Sequence, residues 1–271
     1  MMLSVASWKR WLSPIKWALI EQMKAVRSRL LRGWLRYWGS QPLVLSPHSI
    51  LVFAPHPDDE TLGCGGLIAA KRSQQIPVHV VVITDVQGSH PFVDGFSSSE
   101  IATIRKQEAI AALDKLGVES NQVFFLDQPD GTLNRLPETQ YQALIQQICQ
   151  LLINLNPQEV YVTHAKDCHT DHEATFAAVQ VAIAQTGINV QLFQYPIWLL
   201  WDGLLGKHYQ PADLVGAYRL DISSVLPQKQ QALQAYASQI KPLVTGSNSA
   251  LPPDFLRQAL LPDELYFRAP G

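Results

Sequence analysis

Ser49-Ile-Leu-Val-Phe-Ala54-Pro55-His-Pro-Asp-Asp-Glu60 is the stretch on which the reading of this chain turns. Its first six residues are a short apolar, β-rich run, the next six a proline-punctuated polar loop, and Thr61 to Ser73, with Leu62, Leu67 and Ile68, has helical spacing. A strand apolar at every position is one buried on both faces, as in a parallel sheet covered by helices. The pattern recurs downstream. Val78 to Thr84 reads as a second strand, Ile101 to Leu116 as a helix ended by Gly117, and Gln122 to Leu126 as a third strand. Pro137 to Leu155 reads as a helix stopped ahead of Asn156-Pro157, Glu159 to Thr163 as a fourth strand, Thr170 to Thr186 as a helix before Gly187, and Asn189 to Tyr195 as a fifth strand. The expected fold is α/β, a mostly parallel sheet with right-handed crossovers.

With 271 residues, 47% of them hydrophobic and 16% charged, the chain has material for one catalytic-sized core plus appendages. Collagenous, low-complexity and wholly disordered readings are excluded. Three cysteines, Cys64, Cys149 and Cys168, are too few and too scattered for a disulfide framework or a four-thiolate zinc site, and fit a reducing, cytoplasmic compartment.

The net charge of −2 argues against nucleic-acid binding, but the charges are segregated. Residues 1–40 carry eight Lys and Arg against Glu21 alone, a net of +7, so the remainder nets −9. Five of the seven tryptophans (Trp8, Trp11, Trp17, Trp34 and Trp38) are interleaved with those basic residues. Ser13-Pro14 reads as a helix start, and Ile15, Leu19, Met23, Val26, Leu30, Trp34 and Tyr37 or Trp38 recur at three- and four-residue steps over a helix expected from about residue 14 to 38. No apolar run is long enough to span a bilayer. Such an amphipathic helix suits peripheral contact with an anionic membrane through residues 8–38, or packing against the body or a second copy. The expected organisation is a basic, Trp-rich leader and linker over residues 1–47, with Gln41-Pro42 to Pro47 as linker, and a catalytic body over residues 48–271.

Open parallel sheets bind ligands beyond the carboxyl ends of their strands. His56, Asp58 and Asp59 follow the first strand, and His169, Asp171 and His172 follow the fourth, so two loops deliver imidazoles and carboxylates to one edge. His and Asp suit a borderline divalent ion such as zinc, three protein ligands leave a position for water, and one of the adjacent aspartates is free to act as a base. Alone, each motif is an ordinary capping or loop feature. Gly63, Gly65 and Gly66 do not form a dinucleotide fingerprint, because the loop ahead of them is acidic. No nucleophilic serine motif is present, and Cys168 reads as a small buried neighbour of His169.

Pro55-His-Pro-Asp-Asp-Glu60 resembles the Ala-His-Pro-Asp-Asp-Glu signature of the PIG-L, or LmbE-like, zinc-dependent N-deacetylases, and His169-Thr-Asp-His172 resembles their second motif. Arg105-Lys-Gln-Glu108 with Leu116-Gly-Val, Leu126 to Gly131, and a closing helix over Lys229 to Gln239 extend the likeness. The resemblance implies a Rossmann-like three-layer sandwich and removal of acetyl from an N-acetylglucosamine-type conjugate. It also implies His56, Asp59 and His172 as ligands of Zn2+, with Fe2+ the alternative, and Asp58 as general base. By the same resemblance His169 stabilises the oxyanion or protonates the leaving amine, oriented by Asp171, while Arg105 and Asp130 contact the substrate. Pro55 departs from the family alanine, and the loop Asp85 to Ser99 with His90, like Trp198-Leu-Leu-Trp201, lies where the family varies and is expected to shape the acceptor pocket. Cleavage of another amide or an ester, or a non-catalytic scaffold, are the competing readings.

Overall fold

The computed structural model describes residues 14–86, 97–241 and 249–269. One eight-stranded sheet runs through it: β1 (Ser40–Pro42), β2 (Ile50–Ala54), β3 (Val78–Thr84), β4 (Val123–Gln128), β5 (Glu159–Thr163), β6 (Gln191–Tyr195), β7 (Ala217–Asp221) and β8 (Asp263–Arg268), in the order β1-β7-β8-β6-β5-β2-β3-β4. All pairings are parallel except those of β8 with β6 and β7. The helices are α1 (Pro14–Trp34), α2 (Asp59–Ser73), α3 (Ser98–Lys115), α4 (Glu138–Leu155), α5 (Thr170–Thr186), α6 (Leu199–Asp202), α7 (Leu226–Leu233), α8 (Ala237–Ile240) and α9 (Pro253–Ala259).

Alternation along β2 divides the core. Ile50 and Val52 point into a cluster with Leu67 and Ile68 of α2, Ala109 and Leu113 of α3, and Tyr195, whereas Leu51 and Phe53 meet Ile145 and Ile148 of α4 and Val179 of α5. Two covered faces explain why every residue of β2 and β5 is buried. Close approach of α2 to the sheet requires glycine: a Cβ on Gly63 would lie 2.2 Å from the Tyr195 ring. Helix ends follow local chemistry, with a Ser97/Glu100 capping box on α3 and left-handed Asn156 and Gly187 closing α4 and α5.

The five sequence-expected strands form the parallel block β6-β5-β2-β3-β4. From β2 the chain moves outward through β3 and β4, then returns to lay β5 on the other side of β2, so the β2/β5 boundary is the topological switch point.

Several expectations are corrected. The leader helix stops at Trp34 and continues as a π-helical turn, Leu35–Gly39, and Ser40–Pro42, read partly as linker, is edge strand β1 paired with β7. The closing helix is interrupted between Leu233 and Ala237. The three strands β1, β7 and β8 were not anticipated. β8 carries Glu264, a buried charge that breaks the apolar pattern; its carboxylate accepts from the amides of Gly66 and Leu67 at 2.7 and 2.8 Å and from Lys229 Nζ at 2.8 Å.

Candidate metal centre and active site

The loop after β2 is held down by β3: Thr84 donates to the Pro55 carbonyl through its backbone N–H at 3.0 Å and its hydroxyl at 2.9 Å. The chain then turns sharply. Asp58 has φ 118°, a strained conformation for a residue with a Cβ, stabilised by its amide donating to Glu60 Oε2 at 3.1 Å. Glu60 in turn accepts from Thr61 Oγ1 at 2.6 Å and from the Tyr236 hydroxyl, so this buried carboxyl supports the loop. Across the switch point, His169 caps α5, its Nδ1 accepting from the Asp171 amide at 3.3 Å, and His172 lies in the first turn, fully buried.

Three candidate ligand atoms meet where these loops converge. His56 Nδ1 and Asp59 Oδ2 are 3.2 Å apart, His172 Nε2 and His56 Nδ1 3.2 Å, and His172 Nε2 and Asp59 Oδ2 3.3 Å. A tetrahedral ion with bonds of about 2.0–2.1 Å holds its ligands about 3.3–3.4 Å apart, so the triangle has the size of one face of a zinc coordination shell. Two further groups, His56 with His169 and His172, and His56 with Asp130 and Asp171, also bring ligand atoms within 4.8 Å of one another.

Both imidazoles of the triangle are anchored from behind. His172 Nδ1 lies 2.7 Å from Asp167 Oδ2, so with the proton there the Nε2 lone pair faces the triangle. His56 Nε2 lies 3.2 Å from Asp130 Oδ1 and 3.3 Å from Asp171 Oδ2, which aims Nδ1 inward. Asp167 was not anticipated from sequence. Its carboxylate also accepts the amides of Ile197 and Leu199 at 2.9 Å and Trp198 at 3.1 Å, suspending α6 from the back of His172.

The expected roles shift accordingly. The Asp171 carboxylate takes His56 and the amides of Gly131 (2.7 Å) and Leu133 (3.1 Å), so it orients His56, while His169 is fixed by the Asp171 backbone. Asp130 likewise points at His56. Arg105 is buried, donates to the Pro57 carbonyl at 2.7 Å and stands 3.4 Å from Asp58 Oδ2, so its contacts are with the loop and its carboxyl. Trp201 is buried and Trp198 stacks on Phe255 with centroids 4.7 Å apart, so the aromatic segment is packed rather than open. His90 and most of the Asp85 to Ser99 loop lie outside the described residues.

Burial pushes the Asp58 carboxyl up to about 8 against the pull of Arg105, with the Asp59 and Glu60 charges adding to the rise. Burial lowers both imidazoles of the triangle, but carboxylates outweigh it: Asp59 and Asp167 bring His172 to about 9, and Asp130, Asp171 and Asp59 hold His56 well above its ordinary value. Burial opposes the Asp171 charge, yet His56 and the two amides outweigh it and hold that carboxyl at about 2. His169 moves the other way, pushed down to about 4 by burial and by the His172 and His56 charges. Burial and the Asp167 charge raise the Cys168 thiol to about 12, which removes it as a nucleophile.

Residues 51–183, which contain both loops and the whole triangle, match the family model described as PIG-L: GlcNAc-PI de-N-acetylase. Over that segment the chain is similar to the PIG-L family. It is 28% identical, over 73% of its length and 84% of the relative's, to a Bacillus anthracis protein named "Probable N-acetyl-alpha-D-glucosaminyl L-malate deacetylase 2". It is 27% identical, over 82% and 90%, to the 1D-myo-inositol 2-acetamido-2-deoxy-alpha-D-glucopyranoside deacetylase of Nocardia farcinica. Among solved structures, the A40926 pseudoaglycone deacetylase Dbv21 superposes with a TM-score of 0.64 at 22% identity, covering 82% of this chain and 97% of that one. The 4-carboxy-2-hydroxymuconate hydratase GalB of Pseudomonas putida superposes with a TM-score of 0.56 at 22% identity, over 71% and 80%. Likeness at that identity shows the fold, and the PIG-L fold supports more than one chemistry.

Proposed function

We propose that this PIG-L domain is a zinc-dependent N-deacetylase, with ferrous iron the alternative metal, which hydrolyses the acetamide of an N-acetylglucosamine-type conjugate. The observation that carries the reading is the triangle of His56 Nδ1, Asp59 Oδ2 and His172 Nε2, set beside a second buried carboxyl at Asp58. Those three atoms would hold a divalent ion, whose chemical contribution would be Lewis acidity toward the amide carbonyl and the attacking water.

The chain's own groups do the rest. Asp167 and the Asp130/Asp171 pair keep the far nitrogens of the two ligand rings protonated. Asp58, made more basic than an ordinary carboxylate by burial and fixed beside Arg105, takes the proton of the attacking water and delivers it to the departing amine. His169 accepts at Nδ1 from the Asp171 amide, so its proton sits on Nε2; neutral at physiological pH, it is a hydrogen-bond donor suited to the tetrahedral oxyanion. Of the two roles implied for His169, this geometry favours the oxyanion.

Acetate release from free, inositol-, nucleotide- and lipid-linked N-acetylglucosamine, with Asp58→Asn beside the wild type, tests the reading. Release dependent on Asp58, with metal retained in the variant, supports it; undiminished turnover in Asp58→Asn overturns the assigned base. No release from any of the four by metal-loaded protein moves the reading to another amide or an ester. A non-catalytic scaffold is disfavoured because competent residues occupy His56, Asp58, Asp59, His169 and His172.

The three cysteines are unpaired and no helix among the described residues is long and apolar enough to cross a membrane. We place the enzyme in the cytoplasm, held peripherally at an anionic membrane through the leader.

A further inference from the structure

The leader helix docks on the body by the face opposite its apolar stripe. Ala25, Ser28 and Leu35 are buried, Ser28 Oγ donates to Gln258 Oε1 at 2.6 Å, and Arg27 donates to the Trp201 carbonyl. Lys24 pairs with Asp202 at 2.6 Å and Arg36 with Asp263 at 2.9 Å. The basic residues expected to face lipid headgroups are thus partly spent on the body. Meanwhile Leu19, Met23, Val26, Leu30, Trp34, Tyr37 and Trp38 lie open to solvent, with Met23 at 72%, Leu30 at 71% and Trp38 at 78% exposure. Monomeric proteins rarely leave a contiguous apolar stripe of this kind uncovered.

Beside the stripe, sharing Tyr37 with it, lies a groove of about 340 Å³ lined by Arg29, Arg32, Arg36 and Arg257 against Asp254 and Asp263. Four guanidinium groups face two carboxylates. The groove therefore has an excess of two positive charges, and burial lowers the Arg32 guanidinium to about 10 against the pull of Asp263 and Asp167. Such a groove suits a phosphate, which accepts several guanidinium hydrogen bonds at once.

We propose that the outer face of α1 and its π-turn seats the protein on an anionic phospholipid surface, the apolar stripe entering the headgroup–acyl boundary and the arginine groove taking a lipid phosphate. An apolar stripe flanked by an anion receptor matches the layering of a bilayer. Trp34, Tyr37 and Trp38 cluster at one end, and tryptophan and tyrosine favour that boundary. The segregation of +7 in the leader from −9 in the body orients this face toward negative charge. Seating also involves the catalytic edge, because α1 is tied through Arg27 and Lys24 to α6, whose first amide, that of Leu199, is held by the same Asp167 that anchors His172. The inference deepens the membrane-peripheral reading above and is independent of which bond is cleaved.

The test is sedimentation of the full-length, metal-loaded protein with vesicles of phosphatidylcholine alone or mixed with phosphatidylglycerol, alongside its sedimentation coefficient without lipid. Preferential binding to the anionic vesicles is expected. Met23→Glu with Leu30→Glu should weaken it tenfold or more while leaving melting temperature and acetate release from a soluble substrate unchanged. Arg29→Gln with Arg257→Gln, both at exposed positions, should lose about tenfold of the anionic preference. Absence of wild-type binding, or binding that both double variants retain, overturns the proposal. A wild-type dimer that Met23→Glu with Leu30→Glu converts to monomer, without vesicle binding in either, reassigns the face to a second copy. Vesicle binding without acetate release, or the reverse, shows which of the two readings has failed.

Discussion

Replacing Asp167 by asparagine tests whether the ring behind the ligand triangle is held by charge. The carboxylate is fully buried and serves four donors: His172 Nδ1 at 2.7 Å and the amides of Ile197, Trp198 and Leu199 at 2.9, 3.1 and 2.9 Å. Asparagine keeps the volume but offers one acceptor oxygen, and its amide hydrogens must face a group that itself donates. Either His172 or the α6 amides therefore lose a partner, at about 1.5–3 kcal/mol for a hydrogen bond to a charged group. With His172 no longer held in the Nε2-inward tautomer, metal affinity should fall roughly 10- to 100-fold, or about 1.4–2.7 kcal/mol. Competition with a chelator of known affinity gives the metal dissociation constant, and melting of the chelated protein gives the loss at α6 separately. Unchanged metal affinity in a folded Asp167→Asn protein would refute the reasoning, reducing Asp167 to an anchor for α6.

Removal of the metal should make stability fall as pH rises from about 6.5 to 9. His172 is raised to about 9 in the fold, so its contribution is full below 6.5 and lost through 9, which amounts to about 3 kcal/mol, and Asp58, raised to about 8, acts in the same direction. Denaturant titrations of chelated protein at the two pH values check this, and calorimetry in buffers of different ionisation enthalpy should show proton release on metal uptake at pH 7. A flat profile would contradict the protonated His172. Lys71→Met should destabilise the protein by about 3–5 kcal/mol, because Lys71 Nζ meets Glu159 Oε2 at 3.1 Å and the Ser46 and His48 carbonyls at 2.9 Å, and its loss strands a buried carboxylate; urea unfolding measures it. His169→Ala should lower kcat about 10²–10³-fold with metal content unchanged, and loss of metal instead would make His169 a ligand.

The parallel block was legible because β2 is apolar along its length and β3 and β5 carry apolar runs, Val80 to Ile83 and Val160 to Val162, the local signature of strands buried on both faces, and the two motifs were legible because they follow β2 and β5. Asp167 carried no comparable signal. An aspartate in a loop rich in His and Asp looks the same whether it binds metal, caps a helix or braces a ring, and only the placement of α5 and α6 puts its carboxylate behind His172. Asp171 and Asp130 were picked out as functional but given other work, because the nearness of both to His56 Nε2 depends on how the β4–α4 connection crosses the sheet edge. β8 was missed because its Glu264 is made tolerable by amides of α2 and by Lys229 of α7, remote in the chain.

The leader shows the division most directly. Spacing alone establishes that Leu19, Met23, Val26, Leu30 and Trp34 share one face, since helical periodicity is a local property of the chain. Which face meets the body depends on Trp201, Asp202, Gln258 and Asp263, about 170 to 230 residues away, which offer a carbonyl, carboxylates and an amide to Arg27, Lys24, Ser28 and Arg36. Burial of the face that carries Ala25, Ser28 and Leu35, and exposure of the stripe, come from the complementarity of distant groups, a property that no local pattern encodes.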